Sequence, residues 1–421
     1  MFAFVTGCEG PQGETGPAGA DGTDGVDGQD GADANETCKL CHNPESVDMI
    51  SVQYQFSKHE YGEAAFEEAG RTGCTPCHAQ QGFLDVVERN VPATFTLNTT
   101  TSKYVNDYSN LSTQSYGEIG CATCHSAIHN TYTSADLPSL TTVAAVPMNM
   151  WGGAKTIDLP ADGGTSNLCA KCHQPRPLTK SADSNVLDYA VLVSDPTATF
   201  NQLKPGYRTG VHYGTVGAIM AGKGGIEFSG AVAYGNSPHT EAASCQDCHM
   251  AEINGRVGGH TFSAIGNYNG CNVTGCHTNL SSSSSIVTNG KTAIKTKLDA
   301  LAAKLVIDGV EIMNRNPDSE HNLWYSATTN HYDGNMNIYD PSSNPDGPDN
   351  NPTGQFKNTS PSSSWTQAQK DENAALPTMT LTNAQMGAII NFQMCLREFS
   401  MGMHNYKYSA ALLDNSIALL P

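Results

Sequence analysis

The sequence predicts a mostly α and irregular chain, with short helices, long loops, little sheet and a set of packed helices at its C-terminus. Three observations carry that expectation. Only 38% of the 421 residues are apolar and 41 are Gly, so the protein's own core should be thin for its length. Twelve of the 14 cysteines fall in close pairs, each followed at once by histidine. Helical periodicity strong enough to read alone comes only late in the chain. Charge excludes some partners: 41 Asp+Glu against 22 Lys+Arg give a formal −19, unfavourable for nucleic acid or an anionic membrane surface. No stretch has the roughly 18 consecutive apolar residues of a transmembrane helix.

Residues 1–8 read as the end of a truncated lipoprotein signal. Val5-Thr6-Gly7-Cys8 fits a lipobox, in which the cysteine becomes the lipidated first residue, and a longer charged and apolar leader is expected before it. Lipidation would give Cys8 a membrane anchor; an ordinary terminal cysteine is the alternative. Residues 9–34 keep a Gly-x-y phase from Gly10 to Gly31 with Pro11 and Pro17 as the only imino acids. That composition suits a flexible acidic tether better than a short collagen-like trimer.

Residues 35–285 contain the motifs: Cys38-x-x-Cys41-His42, Cys74-x-x-Cys77-His78, Cys121-x-x-Cys124-His125, Cys169-x-x-Cys172-His173, Cys245-x-x-Cys248-His249 and, with a longer spacing, Cys271-x4-Cys276-His277. Two thiols a few residues apart can form thioethers to the two vinyl groups of a haem, and the next residue then lies under the iron as its proximal ligand. Zinc half-sites carry no demand for histidine at that position, a thioredoxin-like motif occurs once, and a disulfide framework brings no histidines. With 14 His in 421 positions, six such successions by chance come to about one in 10⁹. The expectation is a haem-templated multihaem cytochrome c with six c-type haems supplying much of the missing apolar interior. Short helices should surround each motif, and the long interval between the fourth and fifth motifs, with its Gly-rich run 210–230, should span more than one haem. The run lacks the spacing of a phosphate-binding loop.

Eight histidines remain, and low-spin electron-transfer haems would take six of them as second axial ligands. His129 follows His125 by four residues, which span at most about 14 Å, too short to pass round a porphyrin to its opposite face. It should therefore serve a neighbouring haem.

Several segments carry a resemblance. Ser57-Lys58-His59, Val211-His212-Tyr213-Gly214, Asn236-Ser237-Pro238-His239-Thr240, Cys248-His249-Met250 with Gly258-Gly259-His260-Thr261-Phe262, and Gly402-Met403-His404-Asn405 resemble pieces of bacterial multihaem cytochromes c. The last two are similar to parts of the superfamily of pentahaem nitrite reductase and octahaem hydroxylamine oxidoreductase. The resemblance covers roughly residues 50–280 and 382–420 and implies His59, His129, His212, His239, His260 and His404 as distal ligands. It has limits: the Cys-x-x-Cys-Lys motif of nitrite reductases is absent, and no tyrosine can be singled out for the cross-link of the hydroxylamine-oxidising relatives. His321 and His331 are expected at the surface, with a ligand role in place of one above as the alternative.

Residues 286–421 should form a helical segment that supplies a distal histidine. Apolar positions Ile294, Leu298, Leu301 and Leu305 predict a helix over 291–312, a capping box at Thr382 and Gln385 opens one running to about 399, and another follows from about 405 to 419. Cys395, inside the second, reads as a buried inert thiol. The polar stretch 314–380 reads as a surface excursion or mobile loop, and its acidic part 340–349 as a solvated loop, with calcium as the less favoured alternative.

Two functions are open. One is an exported electron carrier passing electrons along a chain of bis-histidine haems between redox partner proteins with basic docking patches, free in the periplasm or as a lipoprotein of the outer membrane or cell surface. Self-assembly into filaments with other copies is a variant of it. The other is an oxidoreductase with one open haem acting on nitrite, hydroxylamine or a related small molecule. Six nominated distal ligands favour the carrier.

Overall fold

Helix in this chain is of two kinds, short at the cysteine motifs and long near the C-terminus. The structure is a computed structural model that describes residues 38–39, 42–62, 68, 74–89, 95–98, 103–106, 118–131, 139–178, 187–316, 332–345 and 347–421. The lipobox at Cys8, the Gly-x-y tether, Cys41, His321 and His331 lie outside the described residues. What is described is mostly helical and irregular with little sheet.

The motif helices are Thr75–His78, Cys121–Cys124, Ser166–Cys172 and Cys245–His249. Local chemistry starts them where the thiols must be. Ser244 accepts from the Asp247 N–H at 3.2 Å while Asp247 Oδ2 accepts from the Ser244 N–H at 2.7 Å, a capping box one residue ahead of Cys245. Pro76 occupies the first turn of Thr75–His78, where its missing N–H costs nothing. Each of these helices stops at or just before its histidine.

The long helices are Ser285–Lys304, Asn383–Leu396 and Tyr406–Leu419, packed on one another. Thr382 and Gln385 form the expected capping box, and Asn405 caps the last helix by accepting from the Tyr408 N–H. The first helix departs from the expected span: it starts at Ser285 and ends at Lys304, and the chain then forms a hairpin, Val306–Ile307 against Val310–Glu311. The reason is the two-residue turn Asp308-Gly309, with φ of 51° and 83°, which suits a tight hairpin between β-branched residues.

The expected loop over 314–380 is also corrected. Its described part is folded, with Met313–Arg315 paired to Tyr332–Met336, a helix Gln367–Ala375, and Ile338, Tyr339, Phe356 and Trp365 buried. Asparagine side chains make this possible by satisfying irregular backbone that would otherwise need water. Asn337 Nδ2 donates to Glu311 O and Gly354 O, each at 2.8 Å, and Asn373 receives the Asn358 N–H at 2.8 Å while donating to Asn358 O at 2.9 Å. The Asp340 carboxylate accepts from the N–H groups of Ser342 and Ser343.

Sheet among the described residues is confined to antiparallel pairs: the two above, Phe95–Asn98 with Lys103–Asn106, and Val146–Pro147 with Thr156–Ile157. No helix among the described residues is long and apolar enough to cross a membrane.

The core is unevenly placed. One apolar cluster runs from Val146 to Leu420, across the 285/286 boundary, so the thin core expected from composition is not seen there. Before Val146, Ala79 and Phe83 are the buried apolar side chains among the described residues. The Asn383–Leu396 helix is buried nearly all round and organises this cluster. Its polar residues dock the Gly-rich run: Asn391 exchanges two hydrogen bonds of 2.8 Å with the Ile226 backbone, and Gln393 accepts from the Val211 N–H at 2.9 Å. Gly210 has to be glycine, because a Cβ there would fall 2.0 Å from the Gln393 amide.

Candidate metal centres

The structure brings the motif histidines together in twos with histidines from elsewhere in the chain. Ring centres are 6.0 Å apart for His42 and His129, 6.0 Å for His59 and His173, 6.4 Å for His78 and His212, 6.1 Å for His239 and His277, and 6.2 Å for His249 and His404. His260 lies near His125, and its imidazole is pulled down by burial and then by the His125 charge. Two imidazoles bound through nitrogen to opposite sides of one metal ion, each about 2 Å from it, hold their ring centres about 6 Å apart. Five motif histidines thus have a partner at that separation, His125 has His260 nearby, and all six of these partners are histidines expected as distal ligands. His129 turns away from His125 through a left-handed backbone, φ 70°, and meets His42.

Several of these rings are set from the main chain. Nδ1 of His125 lies 3.2 Å from Ser139 O, that of His249 2.8 Å from Phe262 O, and that of His239 3.0 Å from Met403 O, which leaves Nε2 of each ring free to face a metal. His404 differs: its Nδ1 meets the carboxylate of Glu398 at 2.5 Å. Asn405 ties two of the histidine segments together, accepting from the Ser237 N–H at 2.9 Å and donating to Asn236 Oδ1 at 2.9 Å. The His212 segment is held by Gln393 and by Arg397, which donates to Val211 O and lies over the Tyr213 ring at 4.4 Å.

A continuous cavity of about 3550 Å³ joins the pairs, several times the roughly 300–1,000 Å³ of a pocket for one ligand. All twelve paired histidines and the eleven described motif cysteines line it. A sixth of it is about 590 Å³, the scale of one bound group per pair. Its walls hold several rings neutral. Burial, and after it the nearby imidazoles of His59, His249, His404 and His78, pull His173 down to about 3. Burial, then Arg176, His78 and Arg397, pull His212 to about 3. A neutral imidazole offers its lone pair to a metal. Among the described residues no three His, Cys, Asp or Glu side chains converge as a metal cage.

Thiols of different motifs also come close to one another: Cys77 to Cys172, Cys169 to Cys245, and Cys248 to Cys271. Neighbouring motifs in space are therefore not always neighbours in sequence. Cys395 stands apart, fully buried, with burial pushing its thiol up and Sγ 3.8 Å from Ser409 O.

The donor set and the cavity fit haems held between paired histidines with thioether anchors, and five of the pairs have the ring spacing for it. Sequence reasoning missed two residues. Glu398 lies in a helix-terminal stretch with no motif around it. Phe262 was visible only as part of the His260 segment, yet it contacts the ligands of several pairs. Comparison with family models, with curated proteins and with solved structures finds no match to this chain.

Proposed function

We propose that the protein is an exported hexahaem c-type cytochrome that carries electrons through bis-histidine haems. The observation that carries this reading is the pairing itself: five of the six histidines following a cysteine pair face a second histidine from a separate part of the chain, and the sixth, His125, has His260 nearby, over one common cavity. In this reading the paired cysteines anchor each haem, His42, His78, His125, His173, His249 and His277 are proximal ligands, and His129, His212, His260, His59, His404 and His239 are their respective distal partners. The haem iron supplies a reversible one-electron centre whose potential the protein tunes through ligands, burial and hydrogen bonds.

Haems held between these histidine pairs would keep no open position for nitrite or hydroxylamine, which favours relay over catalysis. The charge of −19 suits a basic redox partner and a salt-sensitive encounter. Covalent haem attachment takes place outside the cytoplasm, so the protein would work in the periplasm or, with Cys8 lipidated, at the outer membrane or cell surface.

The test is the visible spectrum of the dithionite-reduced protein before and after carbon monoxide, with haem counted as the pyridine complex. Six low-spin haems and no carbon monoxide shift are expected. A shift in about one-sixth of the haem would turn the reading to an open-site oxidoreductase, and a protein without haem would end it.

A further inference from the structure

The pairs are not strung in sequence order. The ring of Phe262 lies 5.0 Å from that of His59 and 5.7 Å from that of His260, and its carbonyl receives His249 Nδ1 at 2.8 Å. One residue therefore touches ligands of three pairs, His59/His173, His125/His260 and His249/His404. Its backbone is left-handed, φ 54°, an uncommon conformation for a bulky residue and one that points its side chain and its carbonyl to different neighbours.

Further contacts converge on His59/His173. The Ser166–Cys172 helix, which ends at His173, takes the Cys245 N–H on Ser166 Oγ at 2.8 Å, which sets the fifth motif against the fourth. The Thr75–His78 turn packs on the same helix, with Cys77 Sγ 3.9 Å from Lys171 O. The chain after His212 runs against the proximal ring, since a Cβ on Gly214 would lie 3.8 Å from His173 Nδ1. The remaining two pairs attach farther out. His129 follows His125 by four residues, and a Cβ on Gly270, just before Cys271, would fall 1.9 Å from Asp247 O of the fifth motif.

Resting on the haem reading above, we propose that the six sites form a branched array with His59/His173 as its junction and His42/His129, His78/His212 and His239/His277 as its three ends. The first end is reached through His125/His260 and the third through His249/His404. A linear relay connects two partners, whereas this array offers three places for electrons to enter or leave.

The test is electron exchange among the haems of the partly reduced holoprotein, read by two-dimensional exchange NMR of haem methyl signals. In His59→Ala, carbon monoxide on the opened ferrous iron blocks the junction. Cross-peaks between the His78/His212 and His125/His260 sites should be lost, as should those from either site to His249/His404. Persistence of the first set would overturn the junction. The same block at an end, in His129→Ala, should leave the other five sites exchanging; their separation would also overturn it. Iron positions from anomalous scattering of the unmodified holoprotein need no variant. Three nearest-neighbour irons around His59/His173 are expected, and two would overturn the branching. A protein with fewer than six haems would overturn the haem reading itself, and the junction with it.

Discussion

Glu398 Oε2 lies 2.5 Å from His404 Nδ1, and this carboxylate is buried, with Ser400 Oγ at 2.6 Å and the Gly402 N–H at 3.1 Å as its other donors. Burial alone would lower the His404 imidazole, but the hydrogen bond and charge of Glu398 outweigh it and raise it. The rings of His125, His239 and His249 meet neutral main-chain carbonyls instead. A carboxylate behind a ligating imidazole orients the ring and makes it a stronger donor. Glu398→Gln keeps the shape and weakens that donation. In a spectroelectrochemical titration, one component of the six should move to higher potential with the haem count unchanged. Superimposable titrations of the two proteins would refute the link.

Removing a distal ligand should open one iron only. His212→Ala is expected to make about one-sixth of the reduced haem bind carbon monoxide, while His331→Ala leaves the spectrum unaltered. Carbon monoxide binding in His331→Ala would exchange their roles.

The uneven core predicts uneven dependence on haem. Before Val146 the described chain buries the apolar side chains Ala79 and Phe83, whereas a large apolar cluster runs from Val146 to Leu420. In chain produced without haem attachment, limited proteolysis should cut first within 42–131 and spare the long helices. Equal cleavage along the chain would count against haem as the organiser of that region.

Asn391 should matter through the backbone that it satisfies. Asn391→Leu would leave the Ile226 N–H without its partner inside the core and its C=O with only the Phe228 N–H, at a cost of about 1–3 kcal/mol. Chemical denaturation of the holoprotein measures it. A change below a few tenths would mean that the Gly-rich run re-docks elsewhere.

Encounter with a small basic redox protein should slow by roughly tenfold or more as salt rises, because the surface charge that steers it is screened. Stopped-flow association rates at low and high ionic strength decide this, and a flat dependence would point to an uncharged docking face.

Local features were legible in the sequence because their causes are local. The Thr382–Gln385 capping box needs only four residues and appears where expected, and the last helix, expected from about 405, starts at Tyr406 behind its Asn405 cap. Asp308-Gly309 was equally local, and the helical periodicity beside it masked the turn. The stretch after residue 314 misled for a different reason. Asparagine-rich sequence is the signature of exposed loop, yet here the amides replace water for buried backbone, which depends on partners such as Glu311 O and Gly354 O that only the fold brings near.

By itself the sequence determined the cysteine–histidine motifs, the acidic balance, the capped helices and the inventory of histidines left for a second ligand, all properties of composition or of residues a few positions apart. The tertiary structure alone decided which histidine faces which. His404 meets His249 and His59 meets His173 across more than a hundred residues. No spacing rule reaches that far, because a long chain closes such loops at little entropic difference and packing selects among them. The convergence of several motifs on His59 and His173 belongs to the same class, set by the turn at Phe262 and the docking of irregular backbone on one buried helix.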